Sequence, residues 1–312
     1  MASAPQPLAA GTASRGARRP ARLRRAGAPA ASWLFAVPAV LAVLALHYGP
    51  TIAGAVYAFT DWSGIGAAQW VGARNFSDLS KDPAARDALW NSLRLALTFV
   101  VLANLIGLAL ALGLNRTLKS RFLLRALFFA PVVVSPIAIG YLWQYILQSD
   151  GALNTILAGI GLGGLQHQWL GDPTTARWAI LVAMLWQLSG LTMVIYLAGL
   201  AAIPDEYYEA AAVDGASAWR QFRKITVPSV APAIAINTTL GLLIGLRVFD
   251  QVIALTNGGP GNATQTLATE IYVQAFTLGR FGYSTAIAFV LTVLIVVMMA
   301  LRSFLLRQRG SV

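Results

Sequence analysis

Long runs free of Asp, Glu, Lys and Arg divide this chain. They cover residues 26–60, 95–115, 126–149, 178–204, 225–246 and 281–301. A bilayer core needs about 20 mostly apolar residues per crossing helix. Six helices are therefore predicted, near 32–56, 90–114, 123–147, 177–201, 229–255 and 281–305. A seventh uncharged window, 151–171, is rich in Gly and Gln. It is read as loop or interfacial structure.

Composition supports a membrane setting. The chain has 312 residues, of which 57% are apolar and 11% charged. An ordinary soluble domain carries about 25% charged residues. There are no cysteines and two histidines, His47 and His167. Disulfides, thiol chemistry and cysteine-bound metal are excluded, and neither a metal site nor a cofactor is expected.

The net charge of +11 raises the question of nucleic acid, and its distribution answers it. In a six-span chain, Arg15 to Arg25, Arg116 to Arg125, Arg220 to Lys224 and Arg302 to Arg309 mark basic clusters on one side. The other side is poorer in Lys and Arg. Basic loops stay in the cytoplasm, so both termini are expected there, in a bacterial cytoplasmic membrane. The charge then expresses topology, and no nucleic acid is expected as a partner. Residues 1–31 are rich in Ala, Arg, Pro and Gly and are expected to be disordered. They serve as a topology anchor or touch anionic lipid. The apolar stretch from Ser32 to Phe59 is longer than a signal-peptide core, so an uncleaved first span is expected.

Residues 205–224, DEYYEAAAVDGASAWRQFRK, are conspicuously polar. Asp205 and Glu206 follow Pro204, where proline and acids suit a helix start. Ala210, Ala211 and Ala212 are strong helix formers with almost no side chain. Gly215 suits a left-handed stop. A second helix is predicted beyond it, with Trp219 and Phe222 on one face. Two readings stand: a small-residue docking surface for a partner, or an interfacial helix that merely joins two spans.

Glu209-Ala210-Ala211, Gly215, Ile225 and Pro228 have the spacing E-A-A-x3-G-x9-I-x-L-P, with Val227 in place of Leu. This resembles the EAA loop of ABC-importer permeases, in particular the maltose and glycerol-3-phosphate group. Phe249-Asp250-Gln251 and Leu255-Thr256-Asn257-Gly258-Gly259-Pro260 support that subgroup. The resemblance covers residues 30–305. It implies an all-α integral membrane protein with the six-helix type I permease fold and a coupling helix between helices 4 and 5. The implied domain spans 32–312, with its core at about 88–303 and the coupling loop at 203–228. It also implies that Glu209, Ala210, Ala211 and Gly215 contact an ATPase. The implied partners are an ATPase subunit dimer, a second homologous permease, an extracytoplasmic solute-binding protein and membrane lipid. The chain has no Gly-Lys dipeptide and hence no phosphate-binding P-loop.

Polar residues at membrane depth are functional candidates. Arg247 and Asp250, three apart on the predicted fifth helix, form a structural ion pair or line a solute path. Gly241 and Gly245 permit close packing or leave room for a solute. On the fourth helix Trp186, Gln187, Ser189 and Thr192 offer sugar stacking and hydrogen bonds, or glue between helices. Asn104 is read as an interhelical hydrogen bonder. The resemblance places a solute site at Met184, Gln187, Leu188 and Leu191, and at Gly241 and Gly245. The segment 256–276 is a connecting loop or, by resemblance, a face toward the binding protein. The implied function is import of a sugar or related small polar solute, driven by ATP hydrolysis in a partner. Two rivals remain. An ion-coupled transporter needs an ionisable coupling site, for which Asp250 is the one acid near membrane depth. An intramembrane enzyme needs a paired nucleophile and base, and neither histidine has one.

Overall fold

The computed structural model describes residues 31–115 and 119–309. Arg116 and all of the Arg-rich tail before Ala31 lie outside the described residues, so the expectation of a disordered tail falls outside them as well. The chain divides into two compact units, residues 1–51 and 52–312. In the first, helix α1 (Ala31–Val43) runs through a π-helical turn, Leu44–Tyr48, into the start of α2 (Gly49–Tyr57).

Beyond the end of α2, the second unit holds α3 (Arg74–Lys81) and a one-turn helix, α11 (Val227–Ser229), and is built around α4 (Pro83–Leu114) and α8 (Pro173–Ala201). Both begin with an Asp and a Pro. The carboxylate of Asp82 accepts from the Ala84 N–H, and that of Asp172 from the Thr174 and Thr175 N–H groups. Proline at the first helical position has no N–H to leave unpaired. The two helices run side by side in the same direction. Phe99 and Ala103 meet Ile180, Ala183 and Met184 in one buried cluster, and Ala111 and Leu114 meet Met193, Tyr196 and Leu200 in a second. The Tyr196 hydroxyl donates to Asn104 Oδ1 on α4, the interhelical role read from the sequence for Asn104. In a third cluster Ala88 and Ala96 pack with Leu246, Tyr283 and Ile287, which brings in α12 (Ala231–Leu246) and α15 (Phe281–Arg309).

Among the described residues four helices are long and apolar enough to cross a membrane unbroken: Ala36–Tyr57, Pro83–Leu114, Pro173–Ala201 and Phe281–Phe304. Two bent pairs, Arg121–Val133 with Pro136–Gly159 and Ala218–Ser229 with Ala231–Leu246, bring the number to as many as six. The single helices predicted at 123–147 and 229–255 are corrected here, because both are broken. The first splits into α5 (Arg121–Phe129), a 3-10 turn at Ala130–Val133, and α6 (Pro136–Leu147). The segments Arg121–Val133 and Pro136–Gly159 are bent by 101° to one another. Pro136 disfavours helical geometry at the residue before it, and Ser135 is extended. The second splits at Arg247–Phe249 into α12 and α13 (Asp250–Thr256). With 16 residues, α12 is only about 24 Å long at 1.5 Å per residue.

The uncharged window 151–171 forms no span. It holds α7 (Ala152–Gly159) and a 3-10 turn at Gly163–Leu165. Asn154 is the hub of this loop: its amide donates to the Ser149 and His167 carbonyls, and its oxygen accepts from Trp169 Nε1.

Candidate functional site

The two breaks are joined through Gln187 on α8. Breaking a helix within a membrane frees backbone groups that need a partner there. At the first break the Val134 carbonyl accepts from Gln187 Nε2 at 2.9 Å. At the second the Val248 carbonyl accepts from the Thr266 hydroxyl at 3.0 Å. Gln187 Oε1 in turn accepts from Gln251 Nε2, one residue into α13, at 2.9 Å. Gln187 is 2% exposed and Gln251 5%, so this bridge is shielded from competing water.

An open depression of about 360 Å³ lies on the bridge, lined by Pro136, Gln187, Leu188, Ile244, Arg247 and Phe249–Gln251 among others. Four residues singled out from the sequence thus converge: Gln187, Leu188, Arg247 and Asp250. The remaining ones do not. Met184 is fully buried in the first cluster. Leu191 is half-buried on α8. Gly241 and Gly245 are buried against α4, where an added Cβ would meet Val100 Cγ2 at 2.9 Å and Ala96 Cα at 2.7 Å. Of the two readings of these glycines, the geometry is that of close helix packing.

The expected geometry of Arg247 and Asp250 is also corrected. Arg247 ends α12 and Asp250 begins α13, so they share no helix face. Among the described residues the one ion pair is Arg74–Asp78 at 3.8 Å, so Arg247 and Asp250 do not pair. Both line the depression instead. The sequence reading missed Gln251 as a partner and Pro136 as a wall. Gln251 stood in the quoted Phe249-Asp250-Gln251 motif, and Pro136 was a visible break signal.

The polar stretch folds as two short helices on the surface, α9 (Asp205–Val213) and α10 (Ala218–Gln221). Gly215 has φ +72°. The Ala216 N–H returns to the Ala211 carbonyl at 2.9 Å and the Gly215 N–H to that of Ala212 at 3.0 Å. These are the paired bonds of a helix closed by a left-handed residue. Ser217, overlooked in the sequence, caps α10 by accepting from the Arg220 N–H. The rings of Trp219 and Phe222 lie 5.4 Å apart. Tyr208 anchors α9: its ring packs on the second cluster and its hydroxyl lies 3.0 Å from Thr226 Oγ1. Glu209 and Ala210 are exposed and Ala211 is half-buried.

Apolar spans broken around a polar depression, with a helical pair presented on the surface, define a multi-span membrane transport subunit. The chain belongs to the family of binding-protein-dependent transport system inner membrane components, whose model matches residues 103–309. It is 32% identical over 281 residues to a probable starch degradation products transport system permease protein, AmyD, of Thermoanaerobacterium thermosulfurigenes. That match covers 89% of this chain and 94% of the relative. It is 31% identical to the lactose transport system permease protein LacF of Rhizobium radiobacter, with the same coverage of each. Among solved structures it resembles a chain of a bacterial ABC transporter involved in the import of the acidic polysaccharide alginate. The TM-score is 0.79 at 25% identity, covering 89% of this chain and 95% of the other. The chain is therefore a type I ABC importer permease in fold and a transport component in role.

Proposed function

We propose that this subunit translocates a sugar, or a related small polar solute, through the depression between the broken spans. The observation that carries the reading is that depression. Arg247 and Asp250 line it without an ion pair between them, and charge at membrane depth calls for a water-filled cavity. Half-helix ends around such a cavity are a recurrent way to hold a solute near the membrane midplane. The solute class follows from relatives named for starch products and lactose.

The chain works with an ATPase subunit dimer, a second homologous permease and an extracytoplasmic solute-binding protein. Both termini are cytoplasmic, which places α9 and α10 on the ATPase side. Glu209, Ala210 and Ala211 give that helix a small, acid-flanked surface for docking, and Gly215 sets the turn behind it. Closure of the ATPase dimer draws the docked helices together. The motion passes through Tyr208 into the bundle and opens the depression outward. The loaded binding protein delivers the solute, and ATP hydrolysis returns the depression to face inward.

The test is reconstitution of the importer, with the subunits encoded beside it, in proteoliposomes. Uptake is measured for malto-oligosaccharides, lactose, xylo-oligosaccharides and amino acids. ATP-dependent, binder-dependent uptake of a sugar is expected. Uptake without the ATPase, driven by an ion gradient, would establish the rival transporter class. ATP-driven uptake restricted to amino acids would overturn the sugar assignment. Full uptake and ATPase assembly in the Glu209→Lys, Gly215→Trp double variant would sink the docking role of α9.

A further inference from the structure

The segment that follows the depression toward span six is inside out. Helix α14 (Leu267–Tyr272) and the π-helical turn Val273–Thr277 bury Thr269, Glu270 and Gln274, yet they leave Tyr272 44% and Phe276 69% exposed. The polar side is engaged through Glu270 and the amide nitrogen of Gln274, while Gln274 Oε1 has no partner among the described residues. The Glu270 carboxylate accepts from Gln265 Nε2 at 3.0 Å and from Gln274 Nε2 at 2.7 Å. The Leu267 N–H donates to Ser92 on α4 at 2.9 Å. These bonds fix which way the segment faces, so the outward direction of its rings is set from behind.

The exposed rings continue into the depression. Phe249, in its wall, lies 5.5 Å from Tyr272, and Tyr272 lies 5.2 Å from Phe276. A lipid-facing strip would border apolar surface. This one borders Phe281 at its outer end, but its inner end adjoins the depression lined by Arg247 and Asp250. Rings exposed beside an aqueous path suit a ligand with both apolar C–H faces and hydroxyls, which is the chemistry of a pyranose. The Tyr272 hydroxyl makes no hydrogen bond among the described residues and remains available to a sugar hydroxyl.

We infer that Phe249, Tyr272 and Phe276 form a stacking strip that holds successive sugar rings of an oligosaccharide as it enters the depression. The inference rests on the importer reading above and names a site beyond it. It makes the strip matter more for long substrates than for short ones, because only a chain of several rings occupies the strip and the depression together.

The experiment compares the assembled importer with its Tyr272→Leu, Phe276→Leu and doubly substituted forms. The probes are malto-oligosaccharides of two, three and five residues, with lactose and xylobiose in parallel. Leucine keeps the surface apolar and removes the ring. Loss of one aromatic stacking contact corresponds to a fall of roughly three- to tenfold in kcat/KM. That fall is expected for the five-residue sugar, with a smaller fall for disaccharides. Binder-stimulated ATP hydrolysis and the unfolding temperature stay at parental values, and Tyr272→Phe retains most of the uptake. Trp178→Leu, which removes a ring of comparable exposure on α8, leaves uptake unchanged.

Parental uptake at every chain length in the double variant overturns the strip and leaves the importer reading intact. An equal loss at every length, with ATPase stimulation also lost, overturns it in favour of protein docking at these rings. Failure of the unsubstituted importer to carry any sugar overturns the sugar assignment itself, and the strip with it.

Discussion

The side-chain amide of Gln251 donates to the side-chain oxygen of Gln187 across 2.9 Å, joining α13 to α8. Gln187 spends its own amide on the Val134 carbonyl. One pair of glutamines thus ties the break in the third span to the break in the fifth.

Gln187→Leu leaves two groups without partners, the Val134 carbonyl and the buried Gln251 amide. An orphaned buried group costs about 1–3 kcal/mol. Gln251→Leu orphans one, the Gln187 oxygen, and is expected to cost less. The double variant is expected to cost less than the sum of the two. The coupling should fall near 0.5–1 kcal/mol, since hydrogen bonds between membrane helices average about 0.6 kcal/mol. Denaturant titration of the detergent-solubilised protein checks this. Additive losses would show that the two side chains act independently.

Gly245 is expected to act through packing, not through solute contact. Its position on α12 leaves no room for a Cβ, with Ala96 Cα at 2.7 Å. Gly245→Leu forces α12 from α4 at a cost of about 1–3 kcal/mol or more. Gly245→Ala costs less, and adding Ala96→Gly recovers part of the loss, because it removes the Ala96 Cβ at 2.9 Å and leaves the Cα in place. Thermal unfolding reads the rescue. A Gly245→Ala variant with parental stability and altered sugar uptake would return this glycine to the solute path.

The same two regions show what sequence reading reached. Uncharged windows overlap every candidate span among the described residues, because charge is expelled from lipid whatever the helix does inside it. Those windows are blind to breaks. Ser135-Pro136 and Gly245-Leu246-Arg247 carry the local signals, yet hydropathy alone averages across them. Breaks also need tertiary partners, and nothing near Val134 or Val248 in sequence announces Gln187 or Thr266. The surface pair was more legible, since Pro204, the alanines and Gly215 act through local backbone geometry. Arg247 and Asp250 were found as residues, but their relation was inferred from a continuous helix that does not exist.

Asp172 caps α8, and its contribution is pH-dependent. Its carboxyl is held below the usual carboxylate range, first by the Thr175 N–H and then by that of Thr174. A depressed carboxyl pKa stabilises the fold at pH values above the unfolded-state pKa. That contribution is lost as pH falls through the lowered folded-state value. Asp172→Ala is therefore expected to unfold at a lower temperature at neutral pH, with the gap to the parent narrowing in acid. Asp172→Asn keeps a capping oxygen and shows less of this pH dependence. A gap between parent and Asp172→Ala that stays constant from neutral pH down into acid would show that ionisation of Asp172 is irrelevant.

Gly215 separates backbone geometry from bulk. It has φ +72°, and a Cβ placed on it would meet nothing within 4 Å. A side chain there is excluded by conformation and not by a clash within this chain. The left-handed region costs an ordinary residue roughly 1–2 kcal/mol, while Asn enters it more readily. Gly215→Asn is accordingly expected to keep the α9–α10 turn, and Gly215→Val to lose it by opening the bonds from Ala216 and Gly215 to α9. If α9 docks on an ATPase, assembly with that subunit should follow the order Gly, then Asn, then Ala, then Val. Co-purification yield and binder-stimulated ATP hydrolysis measure it. An order set by side-chain size, with Asn worse than Ala, would mean that the partner's surface and not the turn makes glycine necessary.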